Sequence, residues 1–201
     1  MKKHLNHNFA DKNKQKKVHL KPGTMVYPLP AALISCGTIP REYNIITISW
    51  IGTICSEPPM LSISVRPIRH SYDIIKKNRE FVVNLPDSKM ARTVDLCGVK
   101  SGRDINKWEV LKLKPCPSKV IKTPQIENCP VSIECVVKQI LPLGSHDCFI
   151  AEVVNVSVHN DLVNRNGYCD LEKADLLCYI HGVYHDLGKT LGRFGYSVKK
   201  G

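Results

Sequence analysis

Short apolar runs rich in valine, isoleucine and threonine follow one another along the chain from Tyr27 onward, separated by prolines and glycines. β-Branched residues in runs bounded by turn residues predict strands. The pattern predicts strands over residues 32–36, 45–51, 61–65, 81–85, 131–140, 149–158 and 176–180. Many short strands at fairly even spacing are typical of a barrel or a sandwich.

The clearest strand pair lies in the second half of the chain. Val131, Ile133, Cys135 and Val137 alternate with other residues, which is the period-two pattern of a half-buried strand. The stretch LPLGSHD of residues 141–147 then separates this strand from the next one. We therefore expect a hairpin whose loop is longer than two residues.

Two helices are predicted, over residues 71–78 and 88–94. In the first, Ser71 is a favourable N-cap residue and Asp73 places an acid in the first turn. Residues 97–123 are turn-rich and weakly patterned, so we expect an insertion or a long connection there. Because no internal repeat is visible, one folded domain is expected.

Composition narrows the class of protein. Apolar residues are 43% and charged residues 23% of the 201 residues, close to the globular average, which argues against a disordered or fibrous chain. No apolar run approaches the ~20 residues of a membrane span. No apolar segment follows the basic start, as a signal peptide would require. The nine cysteines are an odd number without a CxxC pair, which indicates reduced thiols and a cytoplasmic protein.

The net charge of +11 is concentrated at the N-terminus. Residues 1–21 hold seven lysines against one acid and carry +6, whereas the remaining 22 basic and 17 acidic residues carry only +5. We expect residues 1–21 to be a basic, flexible leader and residues 22–201 to be the folded domain. Since no aromatic residues cluster with lysine or arginine in the folded part, nucleic-acid binding is not expected.

Two predicted strands each combine an apolar face with a face of small hydroxyl side chains. Thr47 and Ser49 share one face of the run NIITISW at residues 44–50, and Ser62 and Ser64 share one face of the following strand. A face of small side chains lets a flat ligand come close to the backbone. The alternative is a pair of ordinary strands with a solvent face of serine and threonine.

The second of these strands leads directly into a candidate anion site. It ends at Arg66, a proline follows, and Arg69 and Ser71 come at the start of the predicted helix. A helix N-terminus with two guanidinium groups and a hydroxyl beside it makes a phosphate cradle. The alternative is an arginine-rich loop in water. Neither GxGxxG nor GxxxxGK[ST] occurs, so a Rossmann fold or a P-loop is not supported.

In their order along the chain, these runs resemble the flavin reductase-like domain family, and most closely its flavoredoxin branch. The resemblance covers residues 22–200. The runs that carry it are PLP at 28–30, NIITISW at 44–50, PPMLSISVR at 58–66, Ser71, EFVVN at 80–84, DINKW at 104–108, GSHD at 144–147, LGKTLG at 187–192 and GYS at 195–197.

This resemblance implies a mainly β fold, an FMN-binding split β-barrel of the Greek-key type with a few short helices. It also implies a homodimer with the non-covalently bound flavin near the interface. The residues that the resemblance places on the isoalloxazine ring are Asn44, Thr47, Ile48, Ser49 and Trp50. Those that it places on the phosphate are Arg66, Arg69, Ser71 and Lys107. His146 would lie near the exposed side of the ring, where family members admit nicotinamide.

The function implied by the resemblance is redox chemistry. As a flavin reductase, the protein would pass electrons from NAD(P)H through FMN to an acceptor. As a flavoredoxin-type carrier, it would keep FMN tightly bound and exchange electrons with protein partners. Since a flavin supplies the hydride acceptor itself, no catalytic side chain beyond His146 is singled out. A cofactor-free basic binding module is the third class.

Cysteine and histidine elsewhere do not predict a metal site. Cys178, His181 and His185 come together only on a helix, whereas the residues between them favour a strand. Cys36 and Cys55 fall near the ring-binding strands, where they are either redox-active thiols or small apolar fillers.

Three aromatic residues near the C-terminus leave alternatives open. Tyr184, Phe194 and Tyr196 would cover the flavin, contact a dimer partner, or pack in the core of their own chain.

Overall fold

A computed structural model describes residues 17–198, so that most of the expected leader, residues 1–16, lies outside the described residues. No helix within residues 17–198 is both long and apolar enough to cross a membrane. In chain order, the strands and α-helices of this part are β1 (Leu29–Pro30), β2 (Ala32–Cys36), β3 (Asn44–Ile48), β4 (Ile51–Ser56), β5 (Pro59–Val65), α1 (His70–Asn78), β6 (Glu80–Leu85), α2 (Ala91–Val99), α3 (Lys107–Val110), β7 (Pro115–Cys116), β8 (Gln125–Ile126), β9 (Val131–Pro142), β10 (Asp147–Val158), β11 (Cys178–Ile180) and β12 (Val183–His185).

Seven strands form one antiparallel sheet in the order β3-β2-β6-β9-β10-β5-β4. Strands β3 and β4 lie at opposite edges of this order, yet only Ser49 and Trp50 separate them along the chain. Since three Cα steps span at most about 11 Å, the sheet must curl until its two edges meet. The carbonyl of Trp50 accepts a hydrogen bond from the backbone N–H of Ser64 at 2.9 Å. We call this meeting point of the two edges, at Ser49 and Trp50, the seam.

Strands β2 and β3 are buried on both faces, which explains their nearly continuous apolar sequence. Ile34 and Ile46 belong to the cluster on the inner face of the curled sheet, which also contains Phe81 and Phe149. Their neighbours on the outer face belong to a second cluster, which α2 and α3 cover with Val94, Cys97 and Trp108. The site-bearing strand is thus held between two packed layers.

The predicted strands are largely confirmed, including the hairpin β9–β10 with its loop at residues 143–146. The prediction of one continuous strand over residues 45–51 was wrong. Strand β3 ends at Ile48 and β4 begins at Ile51, because the N–H of Ile51 turns back to the carbonyl of Ser49 at 3.1 Å. The hairpin β4–β5 was not predicted.

Both predicted helices are present, with different starts and ends. The prediction of Ser71 as N-cap was wrong, because Arg69 is the extended N-cap residue of α1 and Ser71 is buried within the first turn. The second predicted helix is a 3₁₀ turn, Ser88–Met90, that runs into α2. The stretch expected to be an insertion contains α3 and β7.

A three-stranded sheet, β1-β11-β12, packs beside the seven-stranded one. The hairpin β11–β12 confirms the strand preference of its sequence and places Cys178 opposite His185. Its turn is formed by His181 and Gly182, both with positive φ. This hairpin contributes one wall of the candidate site.

A buried carboxylate holds the connection between β7 and β9 against the large sheet. Glu134 is fully buried and accepts hydrogen bonds from the backbone N–H groups of Lys119, Val120 and Ile121 at 2.8–3.2 Å. The side-chain amides of Gln125 and Asn155 also donate to it, at 3.0 and 2.9 Å. Five donors on one carboxylate therefore fix residues 119–121 against the sheet.

Candidate functional site

A cavity of about 400 Å³ opens along the seam, and we call it the strand cavity. One wall is formed by residues 46–50, and the facing walls by the ends of β5 and α2 and by the hairpin β11–β12. The predicted ring-contacting residues Thr47, Ile48, Ser49 and Trp50 all line it. The structure therefore brings four of the five predicted ring contacts to one cavity.

Small residues let the backbone approach this cavity closely. The hydroxyl of Thr47 donates to the carbonyl of Val94 at 2.5 Å, which ties β3 to α2. Gly98 of α2 faces Thr47, and a Cβ there would lie 3.4 Å from Cβ of Thr47, so helix and strand are in close contact at this point. Ser49 and Ser64 line the cavity, whereas Ser62, predicted for the same face, lies outside it.

Trp50 and His146 stack against each other where they line the strand cavity. Their ring centroids are 4.4 Å apart at an interplanar angle of 38°. Burial lowers the pKa of His146, and the positive charges of Arg66 and Arg69 lower it further. A neutral imidazole therefore faces the cavity at neutral pH. The β9–β10 loop brings this residue to the wall of the strand cavity.

A second cavity of about 290 Å³, the basic cavity, continues from the strand cavity. The two share Ile46, Arg66, Arg69 and Gly98 in their walls. Among the described residues, no carboxylate lines the basic cavity. Its cationic side chains are Arg66, Arg69, Lys100, Arg103 and Lys107. A group of cations with no acidic side chain in the same wall is suited to an anion.

Lys107 is 3% exposed and anchors the wall of the basic cavity. Its ammonium group donates to the carbonyls of Ile45 and Cys97 at 2.7 and 2.8 Å. Burial lowers its pKa, and the charge of Arg69 contributes to that lowering. Because an ammonium group has three donors, one remains for a ligand in the cavity.

Asn44 lies in the basic cavity with Ser71, not in the strand cavity with the other predicted ring contacts. Its Nδ2 donates to Oγ of Ser71 at 2.7 Å. Gly102 packs directly against this pair, since a Cβ there would lie 2.2 Å from Oδ1 of Asn44 and 2.8 Å from Cδ2 of His70. A side chain at residue 102 would therefore require Asn44 and His70 to shift.

Sequence reasoning missed several residues of both cavities. Lys100 and Arg103 come from the connection after α2, and Arg103 is fixed by donating to the carbonyl of Ile68 at 3.0 Å. In the strand cavity, Asp95 was missed, and it accepts a hydrogen bond at 3.4 Å from the hydroxyl of Tyr184, for which covering the flavin was one of the open alternatives. The sequence signal that could have indicated this part of the cavity is the pair of cations Lys100 and Arg103 on either side of Gly102. They lie in the stretch that was interpreted only as an insertion or a long connection.

The two cysteines near the predicted ring strands do not line either cavity. Cys36 is fully buried, and burial raises the pKa of its thiol to about 12. Cys55 lies in β4 and donates to the carbonyl of Glu57. All nine cysteines are free. The burial of Cys36 fits the apolar-filler alternative.

Comparison with known proteins gives the same fold. The model of the flavin reductase like domain matches residues 24–188. An uncharacterized protein of Archaeoglobus fulgidus is 32% identical over 136 residues, which are 68% of this chain and 75% of that protein. The flavoredoxin of Desulfovibrio vulgaris (Miyazaki F) has a TM-score of 0.84 at 26% identity and covers 92% of this chain and 100% of its own.

A candidate flavin reductase with a split barrel domain from Shewanella frigidimarina has a TM-score of 0.75 at 20% identity, over 84% of this chain and 86% of its own. Its likeness concerns the fold alone. Together with the curled seven-stranded sheet, it confirms the predicted mainly β split barrel with a few short helices.

Proposed function

The chain belongs to the flavin reductase-like domain family, as its sequence resemblance predicted, and on that premise we propose that it binds FMN and works as an NAD(P)H-dependent flavin reductase. The observation that carries the proposal is the continuity of the two cavities through Arg66 and Arg69. A cavity lined by residues 46–50 and by the rings of Trp50 and His146 leads into a cationic one, which matches the chemistry of a planar ring with a phosphate tail.

The residues present fit the cofactor in charge as well as in shape. Arg66 and Arg69 lie where the two cavities join, and Lys107 offers its remaining N–H inside the basic one. With these cations, the N-terminal N–H groups of α1 would hold a phosphate. Asn44 and Ser71 lie on this side, so we assign Asn44 to the phosphate end, with residues 47–50 holding the ring.

When bound, FMN supplies the site that accepts and passes on electrons. The chain's own residues then bind, orient and shield. Backbone donors of residues 47–50 would stabilise negative charge that grows on the ring. His146, neutral and stacked on Trp50, would contact a nicotinamide entering from the open side. We also propose that the protein is a cytoplasmic homodimer.

The second candidate function is a flavoredoxin-type electron carrier with protein redox partners. The likeness to the Desulfovibrio flavoredoxin, which covers 92% of this chain, favours it. Carrier and reductase share the FMN site and differ in whether a nicotinamide reaches it.

Rapid mixing of the FMN-loaded protein with NADH or NADPH separates the two functions. We expect the flavin absorption band in the visible range to bleach either within the dead time of mixing or during the first turnovers, as a reductase requires. A band that persists with both donors would contradict the reductase and favour the carrier. A protein that is colourless as purified and cannot be reconstituted with FMN would contradict both the reductase and the carrier. The cofactor-free binding module would then be the remaining class.

Gly102→Ala is expected to weaken FMN binding about tenfold, roughly the 1.5 kcal/mol of one hydrogen bond to a charged group. The new methyl group would collide with Oδ1 of Asn44 and displace it from Ser71. Fluorescence titration with FMN and with riboflavin, which lacks the phosphate, checks this. Riboflavin binding should change much less, and an unaltered FMN affinity would place Asn44 away from the phosphate.

A further inference from the structure

The last described segment of the chain exposes a row of apolar side chains. We call residues 187–198, which follow strand β12, the C-terminal arm. Leu191 and Val198 are 86% and 80% exposed, and Phe194 is fully exposed. None of the arm's apolar side chains joins a hydrophobic cluster of residues 17–198. Core packing within the described chain, one of the alternatives for Phe194 and Tyr196, is therefore excluded.

The arm nevertheless has a definite local shape. The N–H of Tyr196 donates to Arg193 at 2.9 Å, and that of Val198 donates to Gly195 at 3.2 Å, which forms a 3₁₀ turn. The ring of Tyr196 lies so close to Gly192 that a Cβ there would come within 2.7 Å of it. The exposed apolar side chains are thus presented on a preformed surface, which lowers the entropy cost of binding a partner.

A complementary apolar groove of about 430 Å³ lies elsewhere on the same chain. It is lined by Met25, Val26, Leu29, Trp50 and Ile51, among others. Met25 and Val26 are themselves largely exposed. Trp50 also lines the strand cavity, so the groove and the candidate cofactor site share a wall.

We propose that the C-terminal arm of one copy docks into this apolar groove of a second copy, and that the exchange is reciprocal. The inference rests on the proposed homodimer and identifies the surfaces that form it. A second copy is the favoured occupant because each chain carries both the apolar arm and an apolar groove. In a two-fold dimer, both arms and both grooves are covered at once.

The reach and the area of the arm are sufficient for such an exchange. Residues 187–193, which precede the 3₁₀ turn, span up to about 25 Å when extended. Phe194 and Tyr196 contribute roughly 300–500 Å² when buried. Two arms and the groove surfaces that they cover then bury about 1,200–2,000 Å² in total, which is the size of a stable protein–protein interface.

The first test is the mass of the protein in solution. Sedimentation equilibrium should give a dimer for the native protein and a single chain for the double variant Leu191→Asp, Phe194→Asp. Both side chains are exposed, so the charges should not disturb folding. The matched control is Tyr168→Asp, since Tyr168 is 68% exposed but lies outside the arm and both cavities, and it should remain dimeric. A monomeric native protein or a dimeric double variant would overturn the proposal.

The second test locates the arm. Benzoylphenylalanine is incorporated at position 194, and the protein is photolysed as a mixture of isotopically light and heavy chains. Mass spectrometry should find cross-links between light and heavy chains to residues 23–29 or 50–52. Cross-links within one chain, or to another surface, would overturn the proposal. Neither readout depends on FMN, so failure of the cofactor proposal and failure of the arm exchange are distinguishable.

Discussion

Replacing Glu134 by glutamine is expected to lower the free energy of unfolding by about 2–5 kcal/mol, because at least two N–H donors lose their acceptor at about 1–3 kcal/mol each. The carboxylate accepts from three consecutive backbone N–H groups and two side-chain amides. Glutamine offers one oxygen and turns an NH₂ group toward these donors. Several buried donors then lose their acceptor, and each carries a desolvation cost.

Urea unfolding monitored by circular dichroism measures this loss. The matched control is Glu127→Gln, because Glu127 is 55% exposed and forms only a surface ion pair with Lys114 at 3.5 Å. Such a pair contributes less than about 1 kcal/mol. Equal losses for the two variants would show that Glu134 does not hold residues 119–121.

The same carboxylate predicts an acid-sensitive stability. Burial acts to raise the pKa of Glu134, but the N–H donors of Lys119, Val120 and Ile121 outweigh it, and the pKa lies below its ordinary value. A depressed pKa in the folded state contributes stability above the unfolded pKa of about 4.3. This contribution is lost as the pH falls through the folded pKa. The difference between native protein and Glu134→Gln should therefore shrink below about pH 4.

Arg69→Ala is expected to weaken FMN binding by about 1.5–3 kcal/mol, or roughly 10- to 150-fold in Kd. Arg69 lines both cavities at the point where they join, directly before α1. Its guanidinium group would be a charged hydrogen-bond donor to the phosphate. The proposed phosphate site therefore depends on Arg69 more than on Lys100 and Arg103, which line only the basic cavity.

Isothermal titration with FMN and with riboflavin tests the prediction. Riboflavin lacks the phosphate, so its affinity should change much less. Arg92→Ala is the matched control, since Arg92 is exposed on α2 and lines neither cavity. Equal losses for FMN and riboflavin would place the phosphate elsewhere.

The strands of the sheet could be predicted because the sequence pattern that indicates a strand is local. Alternation of side chains, as in residues 131–137, reports which face of a strand is buried. The seam could not, because NIITISW contains no proline or glycine to mark the break after Ile48. The chain pairs with β2 up to Ile48 and with β5 from Ile51, and this change of partner leaves no mark in the local pattern. For the same reason Ser71 was mistaken for a cap, since its partner Asn44 is 27 residues away.

The site could be predicted where its residues are neighbours in the sequence. Arg66 and Arg69 stand just before a helix, and the electrostatics of a helix start suggested their role. Lys100 and Arg103 reach the same cavity only because α2 packs on β3 and turns the following loop toward it. That arrangement depends on burial of Val94 and Cys97, which the sequence pattern did not distinguish from other apolar positions.

Closure of the barrel at the seam and binding of a ligand in the strand cavity are thermodynamically linked. A molecule in the strand cavity would contact both β3 and β5. These strands lie on either side of the seam, where the curled sheet has no continuous ladder of backbone hydrogen bonds. Such a molecule would hold the two sides of the seam together. Its binding would add about 2.7 kcal/mol to the free energy of unfolding when the free ligand concentration is a hundred times Kd. With the proposed FMN as that molecule, the melting temperature of the protein should rise with the concentration of FMN.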